Sequence, residues 1–297
     1  MTEFEQQYQR VKNDRGIIAA LDQSGGSTPK TLGLYGIGPD AWTDDEGMFS
    51  VMHQMRARIM QSNSFNAERV LGAILFDGTL ERSVSGVPTA HYLWKEKNIV
   101  PFLKVDKGLA DETNGVQVMN PIPGLAATLA TAKAAGVFGT KMRSVIKQAN
   151  AEGINAIVDQ QFEIGKEILA AGLMPILEPE IDINCPDKLA AETLLRDAIV
   201  AQLDALDADQ QVMLKLTLPE NDNHYKACVD HPKVLRVVAL SGGYARDEAN
   251  KRLKHNLGVI ASFSRALAEG LNATQSDQEF DTVMNTTIDS IYNASAT

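Results

Sequence analysis

Three lysines interrupt otherwise apolar, β-rich runs: Lys104 in VPFLKVD, Lys141 in FGTKMR and Lys215 in QVMLKLTL. A buried ammonium without a partner costs several kcal/mol. One such lysine could bury its stem and let its amine escape between loops. Three in comparable strands point instead to a shared polar pocket that holds acidic partners and an anionic ligand. Desolvation and neighbouring positive charge both lower a lysine pKa in such a pocket, leaving a neutral amine able to attack a carbonyl. Carboxylates beside it can then move the protons needed for carbinolamine formation, dehydration and carbon–carbon cleavage.

The acids fall in matching places. Asp22 closes GIIAALD, Asp106 follows Lys104, and Glu178 and Glu180 sit in PILEPEI. Two residues apart on a strand, Glu178 and Glu180 point to one side, and Pro179 between them is expected to end regular pairing. Two close carboxylates separate in pKa, so that one acts as acid and the other as base. The plainer alternative is a pair of loop-end acids that hold nearby lysines by ion pairs. ALSGG, with Ser241 and Gly242, offers a hydroxyl and flexible backbone N–H groups, and Arg265 lies in SFSR. Alone, SGG is more often a turn than a cradle. After the seventh and eighth strands of a barrel the same residues would stand where phosphate is commonly held.

Other chemistries find little support. The five histidines are scattered without helical i,i+4 ligand spacing, and no metal site is expected. Neither a GxSxG elbow nor a Ser-His-Asp order is visible. LDQSGGSTPK is glycine-rich but matches neither GxxxxGKS/T nor GxGxxG. A formal charge of −10 opposes a nucleic-acid partner, because that binding relies on Lys and Arg neutralising phosphates. Cys185 and Cys228 lack zinc or disulfide spacing and read as reduced thiols. With no apolar leader and no membrane-length apolar run, the expected location is the cytoplasm, away from membranes.

The elements that must position these residues alternate along the chain. Eight β-rich runs begin at Gly16, Arg69, Val100, Phe138, Leu173, Gln211, Val234 and Gly258. Helical periodicity covers Glu46 to Met60, Gly124 to Ala135, Ile154 to Ala171, Lys188 to Leu206, Ala245 to Leu253 and Arg265 to Leu271. Phe4, Tyr8 and Val11 also keep helical spacing, and the interval Gln23 to Glu68 has room for more than one helix. Eight βα units over 297 residues predict an α/β fold, a (β/α)₈ TIM barrel forming a single catalytic domain over residues 1–297. An open doubly wound sheet would give the same alternation. The ionisable residues gather at the C-terminal ends of the strands, the face on which barrel enzymes build active sites.

GIIAALDQSGGSTPK, FLKVDKG, FGTKMRS, PILEPEI, VMLKLT, ALSGG and ASFSRAL follow one another in the order and spacing of class I fructose-1,6-bisphosphate aldolases, and the chain resembles the compact bacterial form over nearly its entire length. The resemblance implies a metal-independent lyase of glycolysis and gluconeogenesis that needs no cofactor and cleaves a sugar bisphosphate through a Schiff base. It places the Schiff-base lysine at Lys215, its acid/base partner at Glu178 and a companion that charge-balances the lysines at Glu180. It places the C4 hydroxyl proton acceptor at Asp22, with Lys141 beside it. Lys104, Ser24, Ser27 and Arg143 resemble the C6 phosphate end, and Ser241, Gly242 and Arg265 the C1 phosphate cradle. Relatives are often homo-oligomers.

Three departures from the longer forms stand out. The chain stops at NASAT without a terminal tyrosine, Thr31 replaces a phosphate-binding arginine, and Gln23 replaces an acid. Tyr292 is no evident substitute for the missing tyrosine. A transaldolase, a deoxyribose-phosphate or tagatose-bisphosphate aldolase would share the lysine, and a non-catalytic sugar-phosphate-binding barrel would share the fold.

Overall fold

The computed structural model describes residues 1–295. Eight strands run parallel and pair strictly in chain order: β1 (Ile17–Leu21), β2 (Val70–Leu75), β3 (Val100–Lys104), β4 (Gly139–Ile146), β5 (Met174–Ile181), β6 (Val212–Thr217), β7 (Val234–Leu240) and β8 (Val259–Ala261). A doubly wound sheet needs a point where strand order reverses. None occurs here. The seam between β8 and β1 carries no ladder, but the Ala20 N–H donates to the Phe263 carbonyl across it at 3.2 Å. The sheet is therefore a nearly closed (β/α)₈ barrel, as the eight apolar runs foretell.

Both faces of the sheet are covered, for different reasons. Ile18, Ile74, Val100, Phe102, Ile176, Met213, Val238 and Ile260 fill the lower interior. Residues of the opposite parity, such as Ala19, Leu103, Leu177, Leu214 and Ala261, pack outward against the helices. The N-terminal helix (Glu3–Asn13) closes the floor: Val11 joins the interior cluster, and Tyr8 donates to Gln211 Oε1 at 2.7 Å. Arg236 on β7 donates to the carbonyls of Val11, Lys12 and Asp14 at the end of that helix. With the floor apolar and sealed, polar residues have access only to the opposite end.

Most helices fall within a few residues of their periodicity, including Asp45–Gln61, Leu125–Ala134, Ala151–Ala170, Lys188–Asp204 and Arg246–Lys254. The long first interval holds a short helix (Thr28–Leu34), a 3₁₀ turn (Pro39–Ala41) and Asp45–Gln61. The helix expected from Arg265 to Leu271 ends at Ala268, and the chain turns away through Gly270 at φ +88°. Pro179 does not end β5. Its ladder with β4 runs on through Ser144↔Pro179 to Ile146↔Ile181. Ile181 donates toward Thr217 of β6, whereas Met174 and Asp182 donate toward β4. Pro179 shares the parity of Ile181, so its missing donor faces the β6 side, where strand pairing has already ended at Leu177↔Leu214.

The last helix, Asp277–Ala294, is absent from the periodicity reading although a capping box announces it: the Ser276 side chain accepts from the Glu279 N–H, and the Glu279 carboxylate accepts from the Ser276 N–H. It packs behind β8, where Ser295 Oγ accepts from the buried Ala261 N–H at 3.0 Å. Ser276→Ala is expected to destabilise the protein by about 1 kcal/mol. Thr282→Ala on the exposed face of the same helix should change stability by under about 0.5 kcal/mol. Urea unfolding of the two variants checks the contrast, and equal losses would remove the cap from the account.

Candidate active site

Every site residue expected from sequence lines one cavity of about 340 Å³ at the C-terminal end of the barrel. The strands explain the convergence. Asp22 continues the inward parity of Ile18 on β1, Lys104 that of Phe102 on β3, Glu178 that of Ile176 on β5, and Lys215 that of Met213 on β6. Lys104 and Lys141 are register partners on β3 and β4. Gly139 allows β4 to approach β5: a Cβ there would lie 2.2 Å from the Met174 carbonyl oxygen.

Four buried side chains form an alternating row of charge. Lys141 Nζ lies 2.6 Å from Asp22 Oδ2 and 2.8 Å from Glu178 Oε2, and Lys215 Nζ lies 3.0 Å from Glu178 Oε1. The Lys141 contact to Oε2 is an ion pair without hydrogen-bond geometry, so that oxygen keeps a lone pair for a ligand. Burial alone would raise the Asp22 and Glu178 carboxyls, but Lys141 first and Lys215 second outweigh it and hold both below their ordinary values. Burial would likewise lower Lys141, yet Asp22 and Glu178 hold it well above the usual lysine range. Lys141 is thereby kept as a cation. Among the described residues Lys215 has only one carboxylate contact, and it shares that carboxylate with Lys141.

Glu178 is held from behind as well. Its N–H donates to Gln161 Oε1 at 2.8 Å, and Gln161 Nε2 donates to Ser144 Oγ at 2.8 Å, so a buried amide on the helix Ala151–Ala170 ties β5 to β4. Gln161 has no signal in the strand pattern, since it faces the sheet from a helix. Glu180 shares the side of Glu178 but pairs with Arg143 rather than with a lysine. The two acids are thus not a dyad in which mutual repulsion keeps one protonated. A cation sits against each.

The flanks of the row differ. On one side Lys104 Nζ donates to Asp106 Oδ1 at 2.6 Å and to the Asp106 carbonyl at 2.9 Å, while the Arg143 N–H donates to Asp106 Oδ2 at 3.2 Å. Ser24 and Ser27 lie in the turn that leads into Thr28–Leu34, with the Ser27 hydroxyl on the Ser24 carbonyl. On the other side Ser241 is buried and Gly242 has φ +61°, a left-handed turn that aims backbone at the cavity. A Cβ on Gly243 would lie 3.2 Å from Arg265 Nη2, so this glycine leaves the guanidinium room over the turn. Thr31 spends its hydroxyl on the Ser27 carbonyl. Lys30, Gln23, Ser262 and Ser264 also line the cavity and were not singled out as site residues from sequence. Each stands within a quoted motif, which is the signal that marks them. Among the described residues no group of three or more His, Cys, Asp or Glu side chains is placed to hold a metal ion.

The family model of class I fructose-bisphosphate aldolase matches residues 5–224. The chain is 58% identical to a class 1 fructose-bisphosphate aldolase of Synechocystis over 99% of this chain and 98% of that one. It is 54% identical to one from Porphyromonas gingivalis over 98% of each chain, and 53% identical to one from Clostridium acetobutylicum over 99% of each. Among solved structures, fructose-bisphosphate aldolase from Plasmodium falciparum superposes with a TM-score of 0.79 at 19% identity, covering 99% of this chain and 94% of that one, a likeness of fold. The ordered motifs, the nearly closed barrel and these matches agree, and the chain belongs to the class I fructose-bisphosphate aldolase family of lyases.

Proposed function

We propose that Lys215 forms the Schiff base through which this chain reversibly cleaves fructose 1,6-bisphosphate to dihydroxyacetone phosphate and glyceraldehyde 3-phosphate. The observation that carries the reading is the Asp22–Lys141–Glu178–Lys215 row, with Lys215 at its open end. Glu178 Oε1 lies 3.0 Å from Lys215 Nζ, where it is placed to take a proton from the lysine and leave a neutral amine. That amine attacks the C2 ketone, and Glu178 returns the proton to the carbinolamine hydroxyl, which leaves as water. The resulting protonated imine accepts the electron pair of the C3–C4 bond as it breaks. Asp22, ionised beside Lys141, accepts the C4 hydroxyl proton as the aldehyde forms. Protonation of the enamine at C3 consumes one proton, balancing the one that Asp22 gained and releases to solvent, and water hydrolyses the resulting imine to free the second triose and Lys215.

The two flanks suit the two phosphates, Lys104, Arg143, Ser24 and Ser27 at the C6 end and Ser241, Gly242 and Arg265 at the C1 end. Holding the substrate at both ends fixes C2 against Lys215, so that phosphate binding contributes orientation as well as affinity. One catalytic barrel spans the chain in this reading. Its place is the cytoplasm, in line with two free thiols, Cys185 and Cys228, and no helix among the described residues long and apolar enough to cross a membrane.

Borohydride reduction in the presence of dihydroxyacetone phosphate should leave a covalent adduct on Lys215, located by peptide mass mapping. Lys215→Met should abolish the adduct and lower kcat by more than about a thousandfold, while EDTA leaves wild-type turnover unchanged. An adduct on Lys104 or Lys141 instead would reassign the nucleophile. Parallel assays with tagatose 1,6-bisphosphate and deoxyribose 5-phosphate separate the neighbouring activities, and turnover of the latter alone would remove the proposal.

Lys141→Met leaves two buried carboxylates facing a hydrophobic replacement, at a cost of about 3–5 kcal/mol near neutral pH. The sign of its pH dependence follows from the shifts. In the wild type Asp22 and Glu178 are depressed, so their contribution is present above the unfolded-state values and is lost as pH falls through the folded ones. In the variant burial is less opposed, the folded values rise, and protonation relieves the penalty. The melting-temperature gap between the two proteins should therefore narrow from about pH 7.5 to about pH 5. A gap that widens on acidification contradicts the row.

A further inference from the structure

Arg56 is a buried cation that the Schiff-base scheme leaves unused. It lies on the inward stripe of the helix Asp45–Gln61, among Met52, Met55 and Ile59, and is 2% exposed. No carboxylate pairs with it among the described residues. Instead its Nη1 donates to Thr79 Oγ1 at 2.7 Å, and its Nη2 donates to the Gln23 carbonyl at 2.5 Å and to Gln23 Oε1 at 3.2 Å. Burial lowers the guanidinium to about 10, with Asp22 opposing, so it stays charged at neutral pH. An ionised arginine buried without an acid is costly, and its position needs a reason.

The reason lies in what Arg56 does to the Gln23 amide. A guanidinium only donates, so Gln23 must turn its oxygen toward Arg56 and its NH₂ the other way. The far side is Ser264: Gln23 Nε2 donates to Ser264 Oγ at 2.6 Å and to the Ala20 carbonyl at 3.3 Å. Because Ser264 Oγ accepts from the amide, its own proton must go elsewhere. Ser264 lines the active-site cavity next to Arg265, and no acceptor for its proton is present among the described residues. These contacts also cross the β1–β8 seam, the one barrel junction held by a single backbone hydrogen bond in place of a ladder. Gln23 and Ser264 further form part of the wall between the catalytic cavity and a neighbouring apolar cavity of about 250 Å³.

We propose that Arg56 is a positioning residue that acts through Gln23: it fixes the amide so that Ser264 donates its hydroxyl proton to the substrate phosphate beside Arg265, and it braces the open seam of the barrel at the same point. The proposal rests on the C1 phosphate being held by Ser241, Gly242 and Arg265. It differs from simple core packing because it requires a direction for each hydrogen bond.

That direction supplies the test. Gln23→Glu keeps size and shape and gives Arg56 a carboxylate partner, but a carboxylate cannot donate to Ser264, so the serine proton turns back toward it. KM for fructose 1,6-bisphosphate and for fructose 1-phosphate should both rise about ten- to a hundredfold, the range of one charge-assisted hydrogen bond, with kcat changed less than about twofold. The melting temperature should hold or increase. Ser264→Ala should raise KM by a similar factor, and Gln23→Glu added to it should raise KM no further. Arg56→Met should reproduce the KM effect where it folds, and Gln23→Glu decides the matter where it does not. Unchanged KM in Gln23→Glu, or factors that multiply in the double variant, would overturn the relay. Arg265→Ala tests the underlying assignment separately: unmoved KM there removes the C1 phosphate site itself, whereas a raised KM there beside an inert Gln23→Glu removes only the relay.

Discussion

Two carboxylates and two ammonium groups, all nearly sealed from water, stand in the order Asp22, Lys141, Glu178, Lys215, and none of the four is tolerable there without its neighbours. Isolated, each would shift its pKa toward neutrality or force its strand to open. Together they form a row whose formal charges cancel. The row also grades its members. Lys141 has an acid on each side and is locked as a cation, while Lys215 has one shared acid and an open side. A strand pattern places lysines in a barrel, but only the distribution of acids around them gives Lys141 and Lys215 such different surroundings.

The barrel makes such a row possible by dividing its interior along the axis. Below, Phe102, Ile176, Met213 and Val238 pack the space with side chains, and the N-terminal helix seals the floor. Above, the same inward parity carries Lys104, Glu178 and Lys215. Changing one strand register by a residue would exchange these for Leu103, Leu177 and Leu214, which now face the helices. The apolar floor therefore does more than stabilise: it fixes the register that aims the charges. Gln161 adds a second constraint from outside the barrel by tying the backbone at Glu178 to Ser144 on the adjacent strand.

Much of this was legible in the chain because barrel strands alternate with period two and charged residues at their ends break the apolar pattern. Eight strands and most charged residues of the cavity wall could be read from that break, whereas Ser24 and Ser27 are marked only by the resemblance to class I aldolases, and Lys30, Ser262 and Ser264 were singled out by neither. What stayed hidden depends on side chains that meet from different elements. Glu180 and Glu178 look like an acid dyad in EPE, and only Arg143, from the neighbouring strand, shows that Glu180 is otherwise engaged. Pro179 looks like a terminator until the side of its missing donor is known. Arg56 sits in the stripe Met52, Met55, Ile59, where helical periodicity would expect a hydrophobic residue, and that mismatch is the trace it leaves. The final helix was legible by two signals, its capping box and an apolar face at helical spacing through Phe280, Met284, Ile288 and Ile291.

The charge balance of the cavity explains how a protein with a net charge of −10 can attract a doubly phosphorylated sugar. Six basic side chains line the space, Lys30, Lys104, Lys141, Arg143, Lys215 and Arg265, against four acidic ones, Asp22, Asp106, Glu178 and Glu180. The acids are engaged: Asp106 with Lys104, Glu180 with Arg143, and Asp22 and Glu178 within the row. Lys30 and Arg265 have no acidic partner among the described residues, so the excess of two positive charges resides on them. A cleft with low-dielectric walls focuses that local excess toward an entering anion, whereas negative charge spread over the outer surface is screened within roughly 8–10 Å by salt. The cavity thus keeps its central row formally neutral and carries its excess positive charge on residues outside that row.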